Sequence, residues 1–259
     1  MSVCEIVIDI ETIPSQLPWV KEYVAKKVAL PKYIAPPEEP TPPKSMKKQE
    51  TIDKWYESDF ERIKAENKAA YDDALQQEEN KYQAALKEAY EKCSFDGAMN
   101  HIICIGVAID SMEPVTLSIH SHEQEAANIK RFYDYLQEQC GDYAHTFIGH
   151  NVHNFDLKIL RQRSIVLGVQ WPNFMSRLFG DKWGDVCYDT MLRWSNDRRD
   201  YVSLDKLCHV FGIETPKDGM SGADVYRYWQ EGRHQEIADY CKDDVIATRA
   251  VYRNMTMSV

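Results

Sequence analysis

Short β-branched runs alternate along this chain with stretches of helical spacing. Residues 6–10 and 102–109 are apolar, rich in Ile and Val, and too brief for helices, so each predicts a buried strand. Residues 115–120 predict a partner for the second run across the turn Ser111-Met112-Glu113-Pro114. Over 122–139 the apolar residues Ala126, Ile129, Phe132, Tyr133 and Leu136 recur at helical spacing, and a further strand, 146–149, follows. The C-terminal part predicts a helix over 203–212, with Ser203 as N-cap and Gly212 as terminator, and a last helix over 231–254 with Ile237, Cys241, Val245, Thr248 and Val251 on one face. Strands, helix, then strand imply an α/β fold with a mixed sheet flanked by helices.

Between the first two strands the pattern changes. Pro36, Pro37, Pro40, Pro42 and Pro43 break regular structure, and 51–93 is Ala-, Lys- and Glu-rich without Gly or Pro, predicting one long helix or two packed helices. Its apolar stripe is narrow: Ile52, Trp55, Tyr56, Phe60 and Ile63, then Tyr71, Leu75, Tyr82, Leu86, Ala89 and Tyr90. The organisation expected is one domain from 1–37 and 97–259, interrupted by a Pro-rich linker and charged helical insert over 38–96. That insert reads as a solvated hairpin, an arm for self-association or a protein partner, or a substrate-guiding arm.

The 259 residues carry 31 Lys+Arg against 41 Asp+Glu, a formal charge of -10, which argues against sequence-independent coating of nucleic acid. Residues 38–96 hold 10 Lys/Arg against 15 Asp/Glu, half of the net charge. The seven cysteines include no C-x-x-C pair and sit mostly in apolar stretches, the pattern of reduced, buried thiols in a cytoplasmic protein. With no basic leader before residues 4–8 and no apolar run of the roughly 18 residues a bilayer needs, neither secretion nor membrane insertion is expected.

Three polar clusters interrupt the apolar framework. Asp9 and Glu11 end the first strand, where alternation puts them on one face; two carboxylates side by side raise one another's pKa unless a cation joins them. Asp59 and Glu61 repeat the spacing inside the insert, where helical geometry splays them into solvent. The second cluster, Gly149-His150-Asn151-Val152-His153-Asn154-Phe155-Asp156, leaves a strand and enters a helix over 157–167, a location suited to phosphate or terminal-hydroxyl contacts. Asn154 could equally cap that helix, and His150 with His153 lacks the further ligands of a zinc site. In the third, Tyr240 and Asp244 project from one helix face, whereas Tyr201 and Asp205 have the same spacing but Ser203 starts a helix between them.

D-x-E, N-x-x-x-F-D and Y-x-x-x-D in this order, as Asp9/Glu11, Asn151/Phe155/Asp156 and Tyr240/Asp244, resemble the DEDD superfamily of 3′-5′ exonucleases on a ribonuclease-H-like fold. The tyrosine branch is the nearest, above all the proofreading domain of family B DNA polymerases and its free-standing relatives; Val7-Ile8-Asp9-Ile10-Glu11-Thr12-Ile13-Pro14, residues 101–107, Ser203-Leu204-Asp205-Lys206-Leu207 and 236–240 also read like that branch. The resemblance covers nearly everything except 38–96. It implies that Asp9, Glu11, Asp156 and Asp244 hold two Mg²⁺ or Mn²⁺ ions, one helping to generate the attacking hydroxide and the other stabilising the leaving 3′ oxygen. It further implies that Tyr240 orients the attacking water, that Phe155 packs near the terminal base and that Asn151 touches the substrate strand.

The implied activity is hydrolysis of nucleotides from the 3′ end of single-stranded DNA. Ribonuclease D-like enzymes share the tyrosine motif, so RNA is the same-class alternative, and a catalytically idle exonuclease fold serving as a scaffold is the different-class one. His234 and Asp239 satisfy H-x-x-x-x-D, the third motif of the superfamily's histidine branch, and compete with Tyr240 and Asp244. Trp171, Phe174, Arg177, Phe179, Lys182, Trp183, Arg193, Trp194, Arg198 and Arg199 would suit a single strand by stacking and phosphate contact, or would simply fill a hydrophobic layer.

Overall fold

A computed structural model describes residues 3–141, 144–176, 178, 186–196, 201–215 and 220–258. The chain divides into two compact units, Met1–Val20 with Glu91–Val259 and Lys21–Tyr90. The larger opens with β1 (Val3–Pro14) and the first residues of α1 (Pro18–Ala25). The smaller contains α2 (Gln49–Ser58) and α3, a helix of 32 residues (Phe60–Glu91) without a buried side chain. Trp55 is buried beside Phe60 and Tyr56, in edge-on contacts of 6.1 and 5.0 Å between ring centres. Lys21 lies over the Tyr90 ring at 5.4 Å, so α1 residues join α3 in this unit although a Pro-rich segment separates them in sequence.

The larger unit continues through a 3₁₀ turn (Lys92–Phe95) into β2 (Asn100–Ile109) and β3 (Val115–Ser118). Then come α4 (Glu125–Cys140), β4 (Ala144–Gly149), α5 (Asp156–Leu167) and β5 (Cys187–Asp189). Among the described residues it is completed by α6 (Thr190–Ser195), α7 (Leu204–Phe211), α8 (Val225–Gln230) and α9 (His234–Thr256). The sheet order is β3-β2-β1-β4-β5, with β1 antiparallel to β2 and parallel to β4. This is the mixed sheet flanked by helices that the alternation of elements predicts.

Alternation along β1 divides the core. Ile6, Ile8 and Ile10 pack with Ile129, Phe132, Leu157 and Leu160 of α4 and α5. Val7 packs with Ala108, Ile148 and Val245 on the α9 face, the face Asp9 and Glu11 share. All five residues expected on the inner stripe of the last helix, from Ile237 to Val251, are buried. Burying that face on β1 and β2 draws the helix bearing Tyr240 and Asp244 over the strand bearing Asp9 and Glu11. A buried network ties the other face together: Arg163 of α5 donates twice to Glu125 of α4, which also accepts from the Ile102 amide and meets His101 Nδ1 at 2.7 Å. No helix among the described residues is long and apolar enough to cross a membrane.

Candidate active site

The site forms where β1, α5 and α9 converge. Asp9 stands opposite Gly106 of β2 and Glu11 opposite Cys104; the ladder register then shifts between Glu11 and Thr12, a bulge that ends regular pairing beside the carboxylates. Gly106 is required here for space. A Cβ on it would lie 2.9 Å from both Cys241 Sγ and Val245 Cγ2, so the absent side chain is what lets α9 approach. Tyr240 and Asp244, one turn apart, then reach the sheet carboxylates, and the charges of Glu11, Asp244 and Asp9 act on the Tyr240 phenol.

Asp156 arrives from the opposite layer. It opens α5, is 2% exposed, and its Oδ1 accepts from the Ile10 amide at 2.9 Å, which locks the helix start to the strand between Asp9 and Glu11. The preceding turn is folded tightly. A Cβ on Gly149 would lie 2.4 Å from Val152 Cβ, and Asn151 adopts φ 63°, a left-handed conformation that Asn tolerates better than most residues.

Asp189, which no motif flagged, holds that turn. Its Oδ1 accepts from the amides of Asn151, Met191 and Leu192 at 3.0–3.2 Å, and its Oδ2 accepts from the His153 amide at 3.1 Å. One buried carboxylate therefore caps α6 and fixes the Asn151 turn. The readable signal was Asp189-Thr190 ahead of Met191-Leu192, an N-cap pattern.

The electrostatics are those of crowded, uncompensated acids. Burial pushes Asp9 well up from the usual carboxylate range, and the charges of Glu11, Asp156 and Asp244 push it further. Glu11 is raised likewise, by burial and then by Asp244, Cys104 and Asp156. Asp156 is pushed up to about 7 by burial, against the opposing pull of its own and the Ile10 amide. Among the described residues, no Lys or Arg is a main cause of these three shifts. Asp9 Oδ2 is buried without a hydrogen-bond partner. An orphaned carboxylate oxygen amid like charges and hard oxygen donors fits a divalent cation such as Mg²⁺ or Mn²⁺.

Asp9, Glu11, Asp156, Tyr240 and Asp244 are thus brought together. The tightest donor set differs from the motif set: Asp9, Glu11 and Cys241 have ligand atoms within 4.8 Å of one another, with Asp156 and Asp244 outside it. Phe155 packs against Phe95, ring centres 5.9 Å apart, and Phe95 is 66% exposed. Sequence distance hid that pairing, since Phe95 precedes β2 by a few residues and Phe155 precedes α5.

Other candidates lie elsewhere. His234 packs against Trp229 and His120, ring centres 4.5 and 4.7 Å away, and Asp239 is exposed and accepts from Gln235. His150 bonds Thr190 and the Val202 carbonyl, remote from a shared ligand with His153. The cap of α5 is Phe155, not Asn154, whose side chain instead meets His153. Among the aromatic and basic residues between the motifs, Phe174 stacks on His145 and Trp171 packs on the core. Arg193 lies 5.6 Å from the Tyr188 ring centre and Trp194 packs edge-on to Phe211, while Arg177, Phe179, Lys182, Trp183, Arg198 and Arg199 lie outside the described residues.

Residues 95–258 match the family described as predicted 3′-5′ exonuclease related to the exonuclease domain of PolB. That span includes Asn151, Phe155, Asp156, Tyr240 and Asp244, while Asp9 and Glu11 precede it and join the site through the fold. The fold is similar to that of the family B DNA polymerase from the hyperthermophilic archaeon Pyrobaculum calidifontis, with TM-score 0.50 and 19% identity. The match covers 62% of this chain and 22% of the polymerase chain. No curated protein matches significantly. The resemblance read from the three motifs is thereby borne out, and the chain belongs to the family of predicted 3′-5′ exonucleases related to the exonuclease domain of PolB.

Proposed function

We propose that this protein is a metal-dependent 3′-5′ exonuclease acting on the 3′ end of single-stranded DNA. The observation that carries the reading is the convergence of Asp9, Glu11, Asp156 and Asp244, whose burial and mutual charge raise the first three, one of them with a buried oxygen that has no hydrogen-bond partner among the described residues. These four carboxylates would hold two Mg²⁺ or Mn²⁺ ions. Bound there, such ions supply Lewis-acid stabilisation of phosphoryl and leaving oxygens and lower the pKa of water.

The chain's own residues set the geometry. The Ile10 amide keeps Asp156 Oδ1 aimed at β1, and the Gly106 gap sets how closely α9 approaches. Burial raises the Tyr240 phenol, and the charges of Glu11, Asp244 and Asp9 raise it further. It therefore stays protonated at neutral pH and orients the attacking water by hydrogen bonding. Phe155, backed by the exposed Phe95, offers an aromatic surface to the terminal base, and Asn151 would touch the substrate strand.

Incubation of the full chain with 5′-labelled DNA and RNA strands, in Mn²⁺ or in EDTA, tests this. A metal-dependent stepwise ladder on DNA is expected. A ladder on RNA alone would reassign the substrate, and the absence of product from folded protein with either strand would leave only a scaffold.

A further inference from the structure

The geometry points to Cys241 as a sulfur ligand in the acidic site, which gives the site high affinity for thiophilic divalent ions such as Zn²⁺ and Cd²⁺. None of the three motifs assigns this residue a role. The inference rests on the metal-site reading of Asp9 and Glu11 and extends it to the side chain between Tyr240 and Asp244.

Position supports it first. The Cys241 thiol donates to the Asp9 carbonyl at 3.5 Å, and Gly106, the strand partner of Asp9, leaves the space in which the sulfur sits. The sulfur, an Asp9 carboxylate oxygen and a Glu11 carboxylate oxygen lie within 4.8 Å of one another. A tetrahedral Zn²⁺ ion held about 2.3 Å from sulfur and about 2.1 Å from oxygen spans donors roughly 3.6 Å apart, so donors that lie within 4.8 Å of one another draw together by up to about 1 Å as the ion binds. The orphaned Asp9 Oδ2 is a buried acceptor awaiting a cation in the same place.

Chemistry supports it next. Hard ions such as Mg²⁺ take the carboxylates and ignore the sulfur, whereas softer ions gain from a thiolate. On binding, the S–H proton leaves to solvent as the sulfur–metal bond forms, so one ligand is created and one proton is released. Burial, and then Cys104, Asp9 and Glu11, hold the Cys241 thiol well above its ordinary range, so the thiolate forms only as a cation binds. A soft ion seated on Asp9, Glu11 and Cys241 would occupy two of the proposed catalytic carboxylates, so Zn²⁺ should inhibit where Mn²⁺ activates.

Cadmium titration into the full chain tests the assignment, read by the ultraviolet sulfur-to-cadmium charge-transfer band and by calorimetry. Wild type should develop the band, and both Cys241→Ser and Cys241→Ala should lose it with at least about tenfold weaker Cd²⁺ binding. Asp9→Asn should weaken it as well, while Cys208→Ser, in a separate part of the core, should leave it unchanged. Retention of wild-type Cd²⁺ affinity in both folded Cys241 variants, or absence of the band in wild type, would overturn the proposal. Cadmium binding by a protein that cleaves no strand would sink the exonuclease reading and keep the thiol site. Strand cleavage without the band would do the opposite.

Discussion

Gly106 faces Asp9 across the β1–β2 ladder, and the volume its side chain would fill belongs to Cys241 and Val245 of α9. Strand pairing and helix docking are therefore coupled at one residue. In Gly106→Ala the new methyl would meet the Cys241 sulfur and Val245 at 2.9 Å and the Cys241 carbonyl at 3.1 Å, so the helix must move outward. We expect a loss of about 1–3 kcal/mol in urea unfolding, as for other overpacked cores. Cleavage per folded molecule should fall by more than tenfold, because even a small shift of Tyr240 and Asp244 spoils the geometry. Unchanged cleavage would mean that the approach of α9 is not critical.

Asp189 is a second fixed point, accepting from four backbone amides on two segments. Asp189→Ala removes a helix cap and leaves buried N–H groups unpaired, at an expected cost of about 2–4 kcal/mol. Asp189→Asn retains one oxygen and should cost less. Chemical denaturation with amide exchange at Asn151 and His153 checks this: exchange there should accelerate more than in β2.

The contrast between these residues explains how much was legible in the sequence. Strands β1 and β2 announced themselves because a run such as Ile102-Ile103-Cys104-Ile105 has no alternative to burial, and the α9 stripe followed from helical periodicity. The acids were legible because two carboxylates ending an apolar strand are costly without a reason. Asp189 was legible only as a cap for Met191 and Leu192; its hold on the Asn151 turn was not, since β5 has only three residues and those partners lie 38 and 36 positions away. Gly106 carried a signal, an isolated glycine inside an apolar strand, which marks close backbone approach without naming what approaches. Cys241 read as part of the inner stripe of the last helix, and periodicity does not say which carboxylates a thiol on that stripe will meet.

The raised carboxylates give the metal-free protein a distinctive pH response. Asp156 is pushed up to about 7, whereas an unfolded aspartate titrates near 4. Between those values the folded chain holds a proton that the unfolded chain has released, so this group's contribution is full below about pH 4 and is lost as pH rises through about 7. Asp9 and Glu11 act in the same direction. In EDTA, wild type should therefore lose stability from pH 5 to pH 8 more steeply than Asp156→Asn, as read by urea midpoints. Mn²⁺ should restore more stability at pH 8 than at pH 5, because cation binding favours ionised ligands. Parallel slopes in the two proteins would remove the buried acid from this account.

Two side chains of α9 are candidates for the proposed catalytic role, Tyr240 orienting the attacking water or His234 as general base, and their surroundings differ. The charges of Glu11, Asp244 and Asp9 act on Tyr240, while His234 opens the helix against Trp229 and His120. Tyr240→Phe removes only the hydroxyl, so a fall in kcat of roughly a hundredfold with little change in KM is expected if that oxygen positions the nucleophile. The pH profile should discriminate further. A phenol held above its ordinary value stays protonated across the working range, so its loss should lower the plateau without moving the ionisation of the carboxylates. His234→Ala should cost some packing stability yet keep kcat within about threefold, since its ring touches none of the acids. A strong kinetic defect in folded His234→Ala, with a mild one in Tyr240→Phe, would transfer the role to the histidine and require α9 to rotate from the orientation its buried face imposes.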